Sequence, residues 1–256
     1  MRADKSKTDQ HWDDRARVEA DSAKVNIADL AQRAVENDFI FAHLSPSDEV
    51  LEAGCGNGYL TEEIRRRTRA VDAFDFSESM IAAAKKIHGE DNNRFFVQSV
   101  LSPEGIDRQY DKLVCVRVLI NLNDLSEQQQ AIRNFARWVR PGGMLILVEG
   151  FKDGFDSLSA LRRDAGLPPL QPAAINFYSY VADLMPTIES SFDIVDSWNS
   201  GMFDLLTRMA YPLLVGPEKS AGPGEFHERL LPLARGVQLE GLAPYARLRG
   251  FLLMRR

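Results

Sequence analysis

From residue 25 to about residue 150, short apolar runs alternate with stretches in which apolar residues recur at helical spacing. Val25, Ile27, Leu30, Ala34 and Phe39 predict an amphipathic helix over 25–44. Val50-Leu51-Glu52-Ala53 reads as a strand ended by Gly54, followed by a helix to about Arg69 with Leu60 and Ile64 facing inward. Ala70 to Phe74 is a second strand, and Ser77 caps a helix from Glu78 to Ile87. Phe95-Phe96-Val97 is a third strand. Lys112 to Val118 (KLVCVRV) is a fourth, apolar enough to be central and covered on both faces. Ser126 and Gln129 have the spacing of a capping box opening a helix with Ile132, Phe135 and Val139 inward. Pro141-Gly142-Gly143 predicts a turn before a fifth strand, Met144 to Val148.

Beyond Glu149 the alternation loosens. Leu158 and Leu161 mark a helix that Gly166 terminates, Phe192 to Val195 a sixth strand, and Gly250 to Met254 a last one. Between the last two lies a stretch of about 202–245, with two expected helices and a Pro/Gly-rich loop, Pro217 to Gly224. It is too long for a hairpin connection and reads as a lid, a substrate-binding insertion or a dimer contact. Strands alternating with helices give an α/β, doubly wound, Rossmann-like parallel sheet with a helical insertion near the C-terminus. The expected organisation is an N-terminal flap and helix over 1–44, then one large domain over 45–256.

Composition adds limits. With 45% hydrophobic and 27% charged residues, the 256-residue chain is an ordinary globular protein. Its net charge of −6 argues against nucleic acid and anionic membrane as partners. The run Arg65-Arg66-Arg67 with Arg69 reads as a solvated helix face. Two cysteines, Cys55 and Cys115, without metal spacing suit a reducing compartment. The polar start lacks the apolar core of a secretion signal, and no apolar run reaches the ~20 residues that span a bilayer. A cytoplasmic location is expected.

The chemistry concentrates in Glu52-Ala53-Gly54-Cys55-Gly56-Asn57-Gly58, a glycine loop between a strand and a helix. Glycines there permit a tight turn and close approach of backbone to a ligand. A dinucleotide fingerprint needs a small residue where this chain has Tyr59, and Glu52 would repel a pyrophosphate. That carboxylate favours a cation, such as the ammonium of a methionine moiety. These two residues speak against a nicotinamide-dependent oxidoreductase and for S-adenosylmethionine. Asp75, about 20 residues on at the end of the second strand, is placed to accept from ribose hydroxyls. Phe76 and Met80 lie where apolar groups cover adenine.

On these residues the chain resembles the class I S-adenosylmethionine-dependent methyltransferases. VLEAGCGNGYLTE is similar to their first motif, DFSESMIAAAKK to the stretch after their second strand, YDKLVCVRVLINL to their fourth-strand motif and VRPGGMLILVE to the fifth. The resemblance implies seven strands with the last antiparallel, and the methyl donor over the strands' carboxyl ends. It implies Glu52, Gly54 and Gly56 at the donor's methionine part, Asp75 at the ribose, Phe76 and Met80 near adenine, and Arg117 beside the donor. The chain departs from the family after the third strand, where Ser99 or Val100 replaces an acid that holds adenine. A fainter resemblance, carried by HWDDRA, RVLINL and GLPPLQPAAINFYSY, is to bacterial small-molecule methyltransferases that accompany carbohydrate or polysaccharide biosynthesis. By that analogy Trp12 folds over the donor and Arg33 pairs with its carboxylate.

The expected reaction is O-methylation of a small molecule, with a sugar or polyol hydroxyl preferred. N-methylation is the close alternative, and a non-catalytic donor-binding subunit the alternative of another class. An alkyl hydroxyl needs a base or a metal. Candidate catalytic groups are Glu149 at the end of the fifth strand, Asn121 after the fourth, and His227 in the insertion. Asn121, Asn176 and Tyr178 are candidate acceptor contacts. Of the other histidines, His43 reads as structural, His88 as surface and His11 as a lesser candidate base. No Asp/Glu/His trio has metal spacing, so no metal is expected. The insertion also suits a homodimer contact.

Overall fold

In the computed structural model, Trp12, Arg15 and residues 29–89, 93–220, 222–237 and 239–256 are described. The expected helical residues 25–28, the rest of the N-terminal segment and His11 lie outside them. Helix α1, Leu30–Ala42, is capped by Asp29, whose carboxylate accepts from the Gln32 amide. Then come β1 (Glu49–Ala53), α2 (Tyr59–Arg65), β2 (Ala70–Asp75), α3 (Glu78–His88), β3 (Asn93–Val97) and β4 (Tyr110–Val116). Helix α4 (Leu125–Trp138), β5 (Val139–Gly150), α5 (Lys152–Asp164), α6 (Val181–Glu189), β6 (Phe192–Asn199) and β7 (Leu248–Arg255) complete the frame.

The strands form one seven-stranded sheet in the order β3-β2-β1-β4-β5-β7-β6. The first five are parallel, while β7 runs antiparallel to both β5 and β6. Side chains alternate across a strand, so each central strand feeds two cores. Leu51, Leu113, Leu145 and Leu147 meet Ile132 and Phe135 of α4 on one face; Val50, Val114, Ile146 and Val148 meet Val35, Phe39 and Ile40 of α1 on the other. Full burial of Leu113, Val114 and Cys115 matches the apolar run that predicted a central strand. The chain reverses its order between β1 and β4, and this crevice at the strands' carboxyl ends is where such sheets bind ligands.

Several local expectations change. Helix α4 is capped by Asp124, which accepts from the Glu127 amide, and Ser126 instead donates its hydroxyl to Asp124. Asp is a strong cap and stands one position before the first helical residue, so it wins over the Ser126–Gln129 spacing. Pro141-Gly142-Gly143 is not a free turn. It is the irregular start of β5, where Val139 already pairs with Tyr110 before the register shifts to Lys112–Met144. The helix after the glycine loop stops at Arg65, and β6 extends to Asn199.

The insertion holds more than the two expected helices. Gly201–Leu205 runs through a wide turn, Leu206–Ala210, into Tyr211–Val215, and Glu225–Arg229 and Leu231–Gly236 follow. It docks on a polar stripe of α1. Asp29, Gln32 and Glu36 are all buried there, at helical spacing. His227 Nδ1 lies 2.8 Å from Asp29 Oδ2, with Arg208 at 3.6 Å. Asp204 accepts from Arg247 Nε at 2.8 Å, Arg247 donates on to Gln32 at 2.9 Å, and Gln32 donates to Glu36 at 3.0 Å. Glu36 Oε2 in turn lies 3.4 Å from Arg117 Nε. A row of buried polar contacts thus runs from the insertion to the end of β4.

Candidate functional site

A cleft of about 900 Å³ opens over the carboxyl ends of β1, β2 and β4, within the range of small-molecule sites. Its floor is the glycine loop. The Gly54 and Cys55 amides both donate to Phe74 O, at 2.8 and 2.9 Å, folding the loop back on β2. Gly54 adopts φ +74°, and a Cβ there would lie 2.3 Å from Val118 Cγ2. A side chain would therefore close the space between the loop and the β4 end, which explains glycine at this position.

Asp75 ties the loop down. Its Oδ2 accepts from the Gly56 amide and its Oδ1 from Ser77, both at 2.9 Å. Glu52 is buried at the cleft floor and accepts from Thr61 Oγ1 at 2.5 Å. Burial pushes its carboxyl up to about 7, against the Thr61 bond and with help from the negative charge of Asp75. On the α1 side stand Arg33, Glu36 and Asn37, facing Arg117. Burial and the like charge of Arg117 bring the Arg33 guanidinium down to about 10, still a cation at neutral pH. Arg117 sits at φ +52°, the one described non-glycine residue with positive φ. Its amide donates to Val148 O at 2.8 Å and its carbonyl accepts from Asn121 Nδ2 at 2.8 Å, which hold the turn. Above, Trp12 donates its indole N–H to Asn121 Oδ1 at 3.2 Å and packs on Met80.

The structure brings most of the residues singled out in the sequence to this one cleft. Trp12, Arg33, Glu52, Gly54, Gly56, Asp75, Phe76, Met80, Ser99, Val100 and Arg117 all line it, as do Asn121 and Asn176. Ser99 Oγ accepts from the Leu101 amide at 3.2 Å, so it is partly used within its own turn.

Glu149, His227 and Tyr178 do not line it. Glu149 is 1% exposed, and its oxygens accept from the Leu119 and Gly150 amides at 2.7 Å each. Burial pushes its carboxyl up to about 8 despite those bonds. It holds the turn after β4 through the Leu119 amide and does not line the cleft. Tyr178 packs on Phe155 and against Gly150, and its hydroxyl accepts from Asn176. His227 is fully buried between Asp29, Phe203 and Tyr211. Burial raises the Asp29 carboxyl, but the His227 bond, the Gln32 amide and Arg208 bring it below its ordinary value.

His227 therefore anchors the insertion. We expect His227→Ala to cost about 2 kcal/mol in a denaturant titration, because Asp29 loses a buried partner. Affinity for S-adenosylhomocysteine should change by about twofold at most, since His227 does not line the cleft. A stable variant without methyl-transfer activity would return His227 to catalysis. His43 is held by Phe39 O and Asp196, and His88, half-buried, contacts Asn57 O and the Tyr59 ring instead of lying free on the surface.

Sequence reasoning missed Glu36 and Tyr59 as cleft residues. The signal for Glu36 was a row of polar residues, Asp29, Gln32 and Glu36, beside the apolar face of a helix. Tyr59 stands out in the sequence only as a misfit to a dinucleotide fingerprint.

Fold and site together define a class I methyltransferase architecture. Residues 50–143 match a family described as a methyltransferase domain. These residues are therefore similar to a methyltransferase domain. It is 30% identical over 166 residues to a biotin biosynthesis bifunctional protein, BioCD, of Bordetella avium, covering 62% of this chain and 34% of that protein. It is 30% identical over 106 residues to a ubiquinone biosynthesis O-methyltransferase of Rickettsia akari, covering 41% of each. The matches thus span about a third to two fifths of these relatives' lengths. Among solved structures, the N-methyltransferase NodS of Bradyrhizobium japonicum, with S-adenosylhomocysteine bound, superposes with a TM-score of 0.59 at 14% identity, covering 98% of this chain and 99% of that one. No helix among the described residues is long and apolar enough to cross a membrane.

Proposed function

We propose that this protein transfers a methyl group from S-adenosylmethionine to an oxygen of a small-molecule acceptor. The observation that carries the reading is a single cleft that joins the Glu52–Gly58 loop and Asp75 to a polar far wall, Asn121 and Asn176, under Trp12. The donor, when bound, supplies a methyl carbon already activated on a sulfonium. Asp75 would accept from the ribose hydroxyls, Glu52 would face the ammonium, and Arg33 would take the carboxylate. Phe76 and Met80 would flank adenine, with Ser99 or the Val100 backbone at its edge. The backbone at Gly54 and the Trp12 cover exclude water and align the acceptor, which is most of what a displacement needs from an enzyme.

The ubiquinone relative's name supports an oxygen acceptor. The amides of Asn121 and Asn176 suit a polyol or sugar, the class expected from the sequence, although Glu149 is not positioned to be its base. The test is incubation with methyl-tritiated S-adenosylmethionine and a panel of alcohols, acids and amines. Label on an oxygen is expected. Label on nitrogen alone would replace the reading by N-methylation, and donor binding without transfer to any acceptor would support a non-catalytic subunit.

Glu52 adds a pH dependence. A carboxyl pushed up to about 7 is mostly protonated in the empty protein below that pH, while an ammonium beside it favours the ionised form. S-adenosylhomocysteine affinity should therefore rise between pH 5.5 and 7.5, by about tenfold if each pKa unit is worth about 1.4 kcal/mol. 5′-Methylthioadenosine lacks the ammonium and should show no such rise. Stability runs the other way. The folded value lies above the unfolded one, so the empty protein loses stability as pH climbs from the usual carboxylate range through about 7. Calorimetric titrations across this range, with Glu52→Gln as the flat control, check both signs.

A further inference from the structure

Every carboxylate that lines the cleft among the described residues already has a partner within the protein. Glu36 accepts from Gln32, and Glu52 from Thr61. Asp75 accepts from two amides. Glu63 pairs with Arg66 and Arg67, and Glu127 accepts from Asn123. No histidine or lysine of the described residues lines the cleft. Glu149, at the end of β5, has both oxygens on backbone amides. Among the described residues, a hydroxyl of ordinary alcohol acidity would find no free base in the cleft.

The cleft instead carries cationic groups with unused donors. Arg33 makes no hydrogen bond or ion pair through its side chain with any described residue. The Arg117 Nε is buried without a hydrogen-bond partner, and its nearest carboxylate, Glu36, is 3.4 Å away. That separation is long for a charge-assisted bond, which prefers about 2.7–2.9 Å. The donor brings one carboxylate, suited to Arg33. The Arg117 guanidinium remains, next to Asn121, whose side-chain N–H bonds the Arg117 carbonyl and fixes the turn. Arginine donates five N–H bonds in a planar fork that matches a carboxylate.

We infer that the acceptor oxygen arrives already ionised, as the carboxylate of a small polar acid held by Arg117, and that the product is a methyl ester. This rests on the donor reading above. In the step, a lone pair of one carboxylate oxygen forms the new O–C bond to the methyl carbon while the S–C bond breaks. The S–C electron pair goes to sulfur, so the sulfonium becomes a neutral thioether and the carboxylate charge is consumed in the ester. No proton moves, and no base is required. An acid with a pKa near 4 is fully ionised at pH 7, so the cleft needs only to orient it against the methyl group and strip its water.

The test uses the full chain, methyl-tritiated S-adenosylmethionine, and malonate, succinate, malate, glucuronate and benzoate, each beside its amide or alcohol counterpart. Label is expected on at least one acid and to be released as volatile methanol by mild alkali, as an ester requires. At saturating donor, the rate should be flat from about pH 6 to 9, whereas a hydroxyl deprotonated in the reaction gives a rising limb. Arg117→Gln should raise the KM for the acid by about tenfold or more, the scale of a lost charge-assisted bond, a larger factor than any loss of S-adenosylhomocysteine affinity. Alkali-stable label on the alcohols or amines, or no ester from any acid by a protein that binds S-adenosylhomocysteine, overturns the inference and leaves the donor reading intact. Failure of the wild-type protein to bind S-adenosylhomocysteine defeats the donor reading itself.

Discussion

Asp75→Asn is expected to weaken S-adenosylhomocysteine binding by about 30-fold or more. The replacement keeps the size of the side chain and removes its charge. Hydrogen bonds to a charged group contribute about 1.5–3 kcal/mol each, and every 1.4 kcal/mol is tenfold in affinity. A second effect adds to the first. Both carboxylate oxygens now accept from backbone, Oδ2 from Gly56 and Oδ1 from Ser77. An amide places an NH2 against one of those N–H groups, donor against donor, and loosens the loop that forms the cleft floor. 5′-Methylthioadenosine should weaken by the same factor, because it shares the ribose. Glu52→Gln, by contrast, should spare it. Calorimetry with the two ligands on the two variants separates a ribose contact from general damage. Equal losses for both ligands in both variants would count against the assignment.

Gly154→Ala is expected to be the most damaging small substitution for stability. A Cβ at this position in α5 would lie 1.9 Å from Ala246 O, 2.2 Å from Ala246 C and 2.5 Å from Arg247 N. These are backbone atoms, so no rotamer change relieves the overlap, and either α5 or the strand entering β7 must shift. Arg247 cannot shift freely. Its amide donates to Asp204 at 2.8 Å, its carbonyl accepts from Phe151 at 2.9 Å, and its guanidinium joins Asp204 to Gln32. Overpacking of a tight contact costs about 1–3 kcal/mol, more where repacking is blocked. We expect about 3 kcal/mol, a fall in melting temperature of about 10 °C for a domain of this size. Gly241→Ala meets nothing within 4 Å and should stay within about 0.5 kcal/mol. Equal melting temperatures for the two variants would show that α5 does not pack on residue 246 as described.

The two glycines mark what a sequence reader can and cannot see. Gly54 was legible because its role is local: a strand before it, a helix after it, and an acid and further glycines around it. Gly154 carries no local signal, since its reason is a carbonyl about ninety residues away in sequence. The same division runs through the site. Asp75, Phe76 and Met80 follow from strand ends and helix starts, and they line the cleft. Glu149 ends a strand on the correct edge of the sheet, but its burial and its two amide partners depend on how residues 117–121 turn back over β5. His227 looked like a free base in a loop-rich insertion. Its position under α1 depends on Asp29, nearly two hundred residues earlier. The central strands are legible because fully buried strands announce themselves as apolar runs. The insertion was not, because its short helices take their order from buried polar contacts and not from periodicity.

The central claim is that the cleft binds an adenosyl methyl donor. It is tested most directly by calorimetric titration of the purified chain with S-adenosylhomocysteine, with NADH as the parallel ligand. The account predicts saturable binding of S-adenosylhomocysteine and none of NADH, because Tyr59 and Glu52 disfavour a pyrophosphate. A folded protein that ignores S-adenosylhomocysteine at millimolar concentration, or that binds NADH in its place, would contradict it.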